Sequence, residues 1–496
     1  MKKLKIIGLF SVLTQLILSI VAASLIISLN VLPDFYVFLV VFVFTLLFLI
    51  SAVFVISRSR FRVGIATVFS LFLCVFLGVV SFKYILPAIN VLDDITTQQQ
   101  TYLATYHIVV KADDPATAPE HIKEYDIGVE KSHDFDAMKK ALDDIATRFD
   151  HTLSVIAYDD YSSMWNAFMD RSETGAILME SNYYNIYKDF YEEQGDSIDK
   201  YVKLLGDVKV EMHHPEIQSE DSQESEETKD VTRESFVVYI SGIDVSGSIN
   251  QRSRSDVNIV MAVNPTTKKI TLSTIPRDSY VKFPGISGDS YDKLTHAAIF
   301  GKNDCSVSIN TLEQNVYKGV NIDYWIRVNF TSLEKIVDAL GGIEVYSEYS
   351  FTSTFSEEDV YFKKGMNKMD GWKALIFCRD RKSVPGEEPQ RGRNQLEVIK
   401  GIFNKATSPS ILVNYNDVLE EVKDSILTNM PMEKLTSLVK MQIDDGASWE
   451  FETVSVDVEY VYDYCYSMTD YGKLCVGIID ENSLQAATDK LKATIG

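Results

Sequence analysis

Three long apolar runs open the chain. Ile6 to Leu32, Phe35 to Ile56 and Val63 to Phe82 each lack a charged side chain. Each reaches the roughly 20 residues that cross a bilayer as a helix. A cleaved signal peptide has a single short apolar region, which these runs exceed. They predict a membrane anchor over residues 1–90, with transmembrane helices at about 6–32, 35–56 and 63–85. Beyond it the pattern shortens. His107–Lys111, Asp126–Glu130, Ser154–Tyr158 and Ala176–Glu180 have strand length, and Asp134–Arg148 places Met138, Leu142 and Ile145 on one helical face. That alternation predicts a small α/β unit over 98–210 with a largely parallel sheet. Tyr183, Tyr184, Tyr187, Phe190 and Tyr191 form an aromatic band, read either as core or as a surface for a sugar or a partner.

The pattern then stops. Residues 211–234 contain the run from Glu216 to Glu227, acidic and poor in apolar side chains, so they read as a flexible linker. A second unit over 235–496 begins with strand-like Phe236–Ile240, Val257–Val263 and Ile270–Ile275, the last two separated by the turn signal Asn264-Pro-Thr-Thr. As an antiparallel meander, these three strands bring Asp244, Arg254, Asp256, Arg277 and Asp278 to one sheet edge. Carboxylates suit a hard divalent cation, and guanidinium forks suit a phosphate ester. The alternative is an ordinary salt-bridged loop.

Further on, Asn367–Ile376 reads as a short helix leading into Arg379-Asp-Arg381. Arg391 and Arg393 then open a helix at Leu396–Lys405, whose N-terminus would add donors for an anion. Between these groups, Lys293 is a further candidate phosphate contact. His296 is a candidate base or ligand, although a hydrogen-bonded structural histidine is the commoner case. Thr331 and Glu334 suggest a capping box, and Gly341-Gly342 a helix stop. Leu333, Ile336, Val337 and Leu340 form that helix's apolar face, read as core or as the wall of a lipid pocket.

Composition sharpens the arginine signal. With 70 acidic against 48 basic residues, the 496-residue chain carries a net charge of −22, so a local basic cluster marks attraction to an anion. The same charge argues against nucleic acid as a partner. Five cysteines are too few for a disulfide-built scaffold, although Cys465 and Cys475 would close a short loop if bridged. Lys2, Lys3 and Lys5 precede the first run, and Arg58, Arg60 and Arg62 separate the second from the third. The positive-inside rule then makes this a multi-pass protein of the cell membrane, with a cytoplasmic N-terminus and everything after about residue 86 outside the cell.

An ordered set of motifs carries a family resemblance: Ser241-Gly-Ile-Asp244, Arg254-Ser-Asp256, Ile275-Pro-Arg277-Asp278, Asp292-Lys-Leu-Thr-His-Ala297, Val328-Asn-Phe330, Leu340-Gly-Gly342, Arg379-Asp-Arg381 and Arg391-Gly-Arg-Asn-Gln395. The chain resembles the LytR–CpsA–Psr family over 235 to about 405, most of all its capsule-attachment branch, whose members also carry an accessory domain. The resemblance implies an α/β fold throughout: three transmembrane helices, a small α/β accessory domain, and a larger α/β sandwich catalytic domain with a hydrophobic pocket for a polyprenyl tail. It implies an extracellular phosphotransferase. Such an enzyme moves a phosphoglycan, capsular polysaccharide or teichoic-acid-like, from undecaprenyl pyrophosphate to peptidoglycan with Mg²⁺ or Mn²⁺. By motif position, Asp244 and Asp256 match the metal-associated carboxylates. Arg254, Arg277, Arg379, Arg381, Arg391 and Gln395 match the pyrophosphate-binding set. Many members have a glycine-containing acidic lead-in to the last motif, where this chain has Glu387-Glu388-Pro389-Gln390. On chemical grounds Asp256 is the expected proton acceptor, with Arg379 and Arg381 neutralising the transferring group. Two other activities would use the same pocket: a receptor that senses lipid-linked glycan without turnover, and a pyrophosphatase that uses water.

Overall fold

The computed structural model describes residues 2–29, 32–86, 101–170, 174–213, 229–301, 304–408, 418, 423, 425–469 and 471–496. Three apolar helices, α1 (Lys2–Leu29), α2 (Asp34–Ile56) and α3 (Arg60–Val80), pack together. All three are long and apolar enough to cross a membrane. Their outer faces expose Phe, Leu and Ile, while Ser11, Gln15, Ser51, Thr67 and Ser70 are buried between them. Small and polar residues at such a seam let helices approach closely without a hydrophobic drive. Thr67 Oγ1 donates back to Val63 O at 2.8 Å, so its hydroxyl is satisfied within its own helix.

The first sheet unit has five strands in the order β3-β2-β4-β1-β5. They are β1 (Thr101–Lys111), β2 (Asp126–Glu130), β3 (Ser154–Tyr158), β4 (Ala176–Glu180) and β5 (Val202–His213). The expected largely parallel sheet is mixed instead. β2 runs parallel to β3 and β4, whereas β1 runs antiparallel to β4 and β5. β5 is the strand the sequence reading left out, and it carries the unit to residue 213, past the expected boundary at 210. The whole acidic run, Glu216 to Glu227, lies outside the described residues, and of the expected linker only 211–213 and 229–234 are described.

Three helices join these strands: α4 (Phe135–Phe149), α5 (Tyr161–Met169) and α6 (Ser181–Glu193). Asp134 caps α4 and Asp160 caps α5, each accepting a backbone N–H from three residues on. The aromatic band on α6 is core, and it is shared. Tyr183, Tyr187 and Tyr191 pack with Trp165 and Phe168 of their own unit and with Met468, Leu474 and Val476 of the next. Gly472 belongs to that contact, because a Cβ there would fall 2.2 Å from the Phe190 ring.

The second unit is built on six strands in the order β12-β9-β6-β7-β8-β13. The meander expected from the sequence is its centre: β6 (Phe236–Ile243), β7 (Ser255–Asn264) and β8 (Lys269–Thr274) pair antiparallel in succession. β9 (Tyr324–Asn329) runs parallel to β6. Its helix α7 (Phe330–Ala339) is followed by β10 (Ile343–Ser347) and β11 (Gly365–Met369), which pair with each other. Then come α8 (Gly371–Arg379), α9 (Glu387–Ala406), β12 (Leu427–Thr428), α10 (Met432–Asp445), β13 (Glu450–Ser455), β14 (Val458–Tyr464), β15 (Lys473–Ile479) and α11 (Glu481–Ile495). Alternate residues of β6 face opposite ways. Phe236 and Val238 pack with Leu396 of α9 and Leu435 of α10, whereas Val237 and Tyr239 pack with Leu484 and Leu491 of α11. The result is an α/β sandwich with helices on both faces of the sheet.

Three local expectations are corrected, and one pairing left open by the sequence is resolved. The helix expected at Asn367–Ile376 is a strand and then a helix, because Gly365 has φ 98° and Asp370 caps α8 through Lys373 N at 2.9 Å. α9 begins at Glu387 rather than Leu396, because Pro389 sits in its first turn, where no N–H is needed. Arg391 and Arg393 therefore lie inside a helix, and the anion site expected at a helix N-terminus beside them is absent. Asn329 rather than Thr331 caps α7, accepting from Ser332 N at 2.8 Å, while Thr331 Oγ1 accepts from Gly247 N. Cys465 and Cys475 are both free thiols. The helix stop holds: Gly341 and Gly342 have φ of 75° and 85°. The apolar face of α7 is core, with Ile336, Val337 and Leu340 buried against α8.

Asp34, at the start of α2, pairs with Lys440 of α10 at 2.7 Å. The first residue of α2 therefore meets α10 of the second unit.

Candidate active site

The meander delivers its charges to one sheet edge. β6 ends at Ile243, opposite Ser255 at the start of β7, with a bulge at Gly242/Ile243. A Cβ on Gly242 would lie 2.7 Å from Val257 Cβ, so the strands can close only around glycine. Asp244 follows β6, Arg254 and Asp256 flank the first residue of β7, and Arg277 and Asp278 follow β8. The backbone ties these ends together, Asp244 N donating to Arg254 O and Ile275 N to Asn258 O.

Asp256 sits at the middle of the cluster. Arg277 Nη1 donates to its Oδ2 at 2.7 Å, and Thr295 Oγ1 to its Oδ1 at 3.3 Å. Burial alone would raise its proton affinity, but Arg277, Arg254 and Arg391 outweigh burial and hold it below the usual carboxylate range. Asp244 is shifted the other way, first by burial and then by the negative charge of Asp256. Its one ion pair among the described residues is loose, with Arg379 Nη2 at 3.9 Å. Arg379 itself lies over the rings of Phe330 and Phe355, with its guanidinium carbon 3.7 and 4.7 Å from their centroids. Stacking fixes the plane of the fork while leaving its edge free to donate.

The last motif arrives on α9, which lies close to the end of β8: a Cβ on Gly392 would be 3.2 Å from Thr274 Cγ2. Arg391 is paired with Glu388 of the departing lead-in, and its Nε has no hydrogen-bond partner among the described residues. Gln395 is buried, and its amide donates to Cys378 O at 3.3 Å, joining α9 to α8. Arg393 turns to Gln390 and Glu348 instead. Arg381 is exposed beyond α8 and has no ion pair among the described residues. Lys293 is buried between Glu193 at 3.1 Å and Asp278 at 3.4 Å, so its charge is already matched. His296 is structural, its Nδ1 held by Asp292 Oδ1 at 2.6 Å and by Ser467.

Of the expected residues, the structure brings Asp244, Arg254, Asp256, Arg277, Arg379 and Arg391 into one electrostatic cluster. It adds residues the sequence reading missed. Thr295 was legible inside its motif. Phe330 and Phe355 serve as the platform for Arg379, and Glu388 is the partner of Arg391. Asp189 and Glu193 come from α6 of the other unit and pair with Arg254 and Lys293. Only their spacing of four residues hinted at a shared face.

Among the described residues no three His, Cys, Asp or Glu side chains form a metal cage. Two neighbouring carboxylates are nevertheless the donor set that suits Mg²⁺, which keeps waters and takes its remaining oxygens from a phosphate substrate. The cluster can therefore hold a pyrophosphate among guanidinium groups with a divalent cation beside it.

The model of the LytR_cpsA_psr family matches residues 201–492. A polyisoprenyl-teichoic acid–peptidoglycan teichoic acid transferase, TagU of Enterococcus faecalis, is 34% identical over 238 residues, 48% of this chain and 75% of its own. TagT of Bacillus subtilis, of the same description, is 28% identical over 270 residues, 52% of this chain and 81% of its own. Among solved structures, B. subtilis TagV aligns over 53% of this chain and 98% of its own, with 22% identity and a TM-score of 0.44.

Proposed function

Since the chain belongs to the LytR–CpsA–Psr family, we propose that it is a membrane-anchored phosphotransferase that moves a phosphoglycan from a polyprenyl pyrophosphate carrier to peptidoglycan. The observation that carries this reading is the convergence of Arg254, Arg277, Arg379 and Arg391 on Asp256 and Asp244. A hydroxyl of the acceptor glycan attacks the glycan-bearing phosphorus. The new P–O bond forms as the pyrophosphate bridge breaks, and polyprenyl phosphate leaves. Arginine forks hold the two phosphates and take up charge as the bridge opens. Mg²⁺ or Mn²⁺ held by Asp244 and Asp256 would neutralise charge on the phosphate oxygens.

The loose transition state of phosphoryl transfer asks little of a base. Asp256, kept ionised by its arginines, is the fixed negative pole of the site. Asp244, about a third exposed and loosely paired, is the more accessible of the two carboxylates: one of its oxygens would face the cation and the other would accept the proton, the role expected of Asp256 from the sequence. Stacked Phe330 and Phe355 give the arginine cluster an apolar border suited to the isoprenoid end of the carrier.

The anchor follows the same logic. By the positive-inside rule, the cationic flanks support an N-terminus in the cytoplasm and residues after about 86 on the outer face of the cell membrane. The Asp34–Lys440 pair supports this, since it sets the N-terminal end of α2 and the sandwich at the same end of the bundle. The glycopolymer is anionic, capsular or teichoic-acid-like, on a Gram-positive wall.

The deciding assay incubates the full chain in nanodiscs with lipid-linked glycan and peptidoglycan fragments, with and without Mg²⁺. Metal-dependent appearance of glycan on peptidoglycan supports the transferase. Release of free phosphate alone would make it a pyrophosphatase, and binding without turnover a receptor.

A further inference from the structure

Two acids of α6 end in the neighbouring unit. Asp189 and Glu193 are four residues apart and share one face of the helix. Asp189 Oδ2 accepts from Arg254 Nη1. Glu193 accepts from Lys293 Nζ at 3.1 Å and, through its other oxygen, from Cys475 N at 2.7 Å. From Lys293 the chain of charges continues: to Asp278 at 3.4 Å, from Asp278 to Arg277 Nε at 3.6 Å, and from Arg277 to Asp256 at 2.7 Å. One helix of the first unit thus grips the site twice, once directly and once through a relay of alternating charge.

We propose that Asp189 and Glu193 are positioning residues of the transfer site, which makes the first sheet unit a working part of the active site. The proposal rests on the transferase reading above. Arg254 is 8% exposed and Lys293 is 5% exposed. Buried cations need partners, and removing one partner leaves an uncompensated charge rather than a lost surface contact. The need is sharper here because Arg254 and Arg277 crowd the same aspartate and repel each other. Asp189 supplies the balancing charge and sets the direction of the Arg254 fork, while Glu193 keeps Lys293 from drawing Asp278 away from Arg277. The rigid setting of α6 suits that task, with Phe190 seated against Gly472 and Tyr191 Oη bonded to Tyr471 Oη at 2.6 Å. Residues 189 and 193 both precede the family match, which starts at 201, so this contribution belongs to the added unit.

The test is steady-state transfer by the full chain in nanodiscs. Asp189→Asn and Glu193→Gln should each lower kcat by about ten- to a hundredfold, the cost of a misplaced group, with little change in KM for the lipid-linked substrate. Asp189→Glu should restore part of the loss. On an Arg254→Ala background, Asp189→Asn should cost nothing more, because it acts through that arginine. Wild-type kcat in both single variants would overturn the proposal. So would additive losses in the double variant, which would mark a general effect on folding. A wild-type chain that transfers nothing would sink the transferase reading and this proposal together, whereas intact turnover in the variants would sink this proposal alone.

Discussion

Arg379 shows how charge and shape divide the work at a single position. Its guanidinium lies on two aromatic rings and touches Asp244 only loosely. Lysine would keep the charge and lose both the stacking and the fork. Arg379→Lys should therefore reduce transfer by roughly 1.5–3 kcal/mol, the worth of a hydrogen bond to a charged group, with an unchanged melting temperature. Asp256→Asn should remove the metal dependence of turnover while the chain still binds a polyprenyl phosphate, measured by isothermal titration. Asp278 gives a pH test. Burial would raise its pKa, but Lys293 and Arg277 outweigh burial and hold it below the usual range. Its native-state pKa is thus lower than its unfolded value near 4. The stability it contributes is present above that unfolded value and fades as pH falls through the native one. The melting-temperature gap between wild type and Asp278→Asn should accordingly narrow from pH 6 to pH 3. Asp244, Arg254, Asp256 and Arg277 were legible in the sequence because a meander forces its strand ends together. Asp189 and Glu193 were not, because nothing local says that an acid on one unit's helix meets an arginine of another.

At the scale of elements, the strands read more clearly than the helices. Apolar runs bounded by turn signals located β6, β7 and β8 and even their antiparallel order. Helix starts were misread where a short-range cue competed with a better-placed one. Asn329, leaving β9, out-competed Thr331 as a cap. Pro389 is tolerated in the first turn of α9, so that helix opens at Glu387, ahead of its arginines. The cap offers its own check: Asn329→Ala should cost about 1 kcal/mol of stability, read by thermal melting. The mixed order of the first sheet was beyond the pattern, since β1 pairs with β4 and β5 across long stretches of sequence.

For the molecule as a whole, anchor and site form one device. Alkaline phosphatase fused after Gly496 should be active and fused after Ser59 inactive, because only the former would lie outside the cell. The reverse pattern would invert the topology drawn from the lysine and arginine flanks.

A three-helix anchor would have a kinetic consequence. An enzyme held against the bilayer meets its lipid-linked donor by lateral diffusion in a plane, while its acceptor is a fixed wall strand above. Turnover should then scale with the mole fraction of donor in the membrane rather than its bulk concentration. Diluting the donor with inert lipid at constant total amount should slow the reaction, whereas diluting the whole vesicle suspension should not.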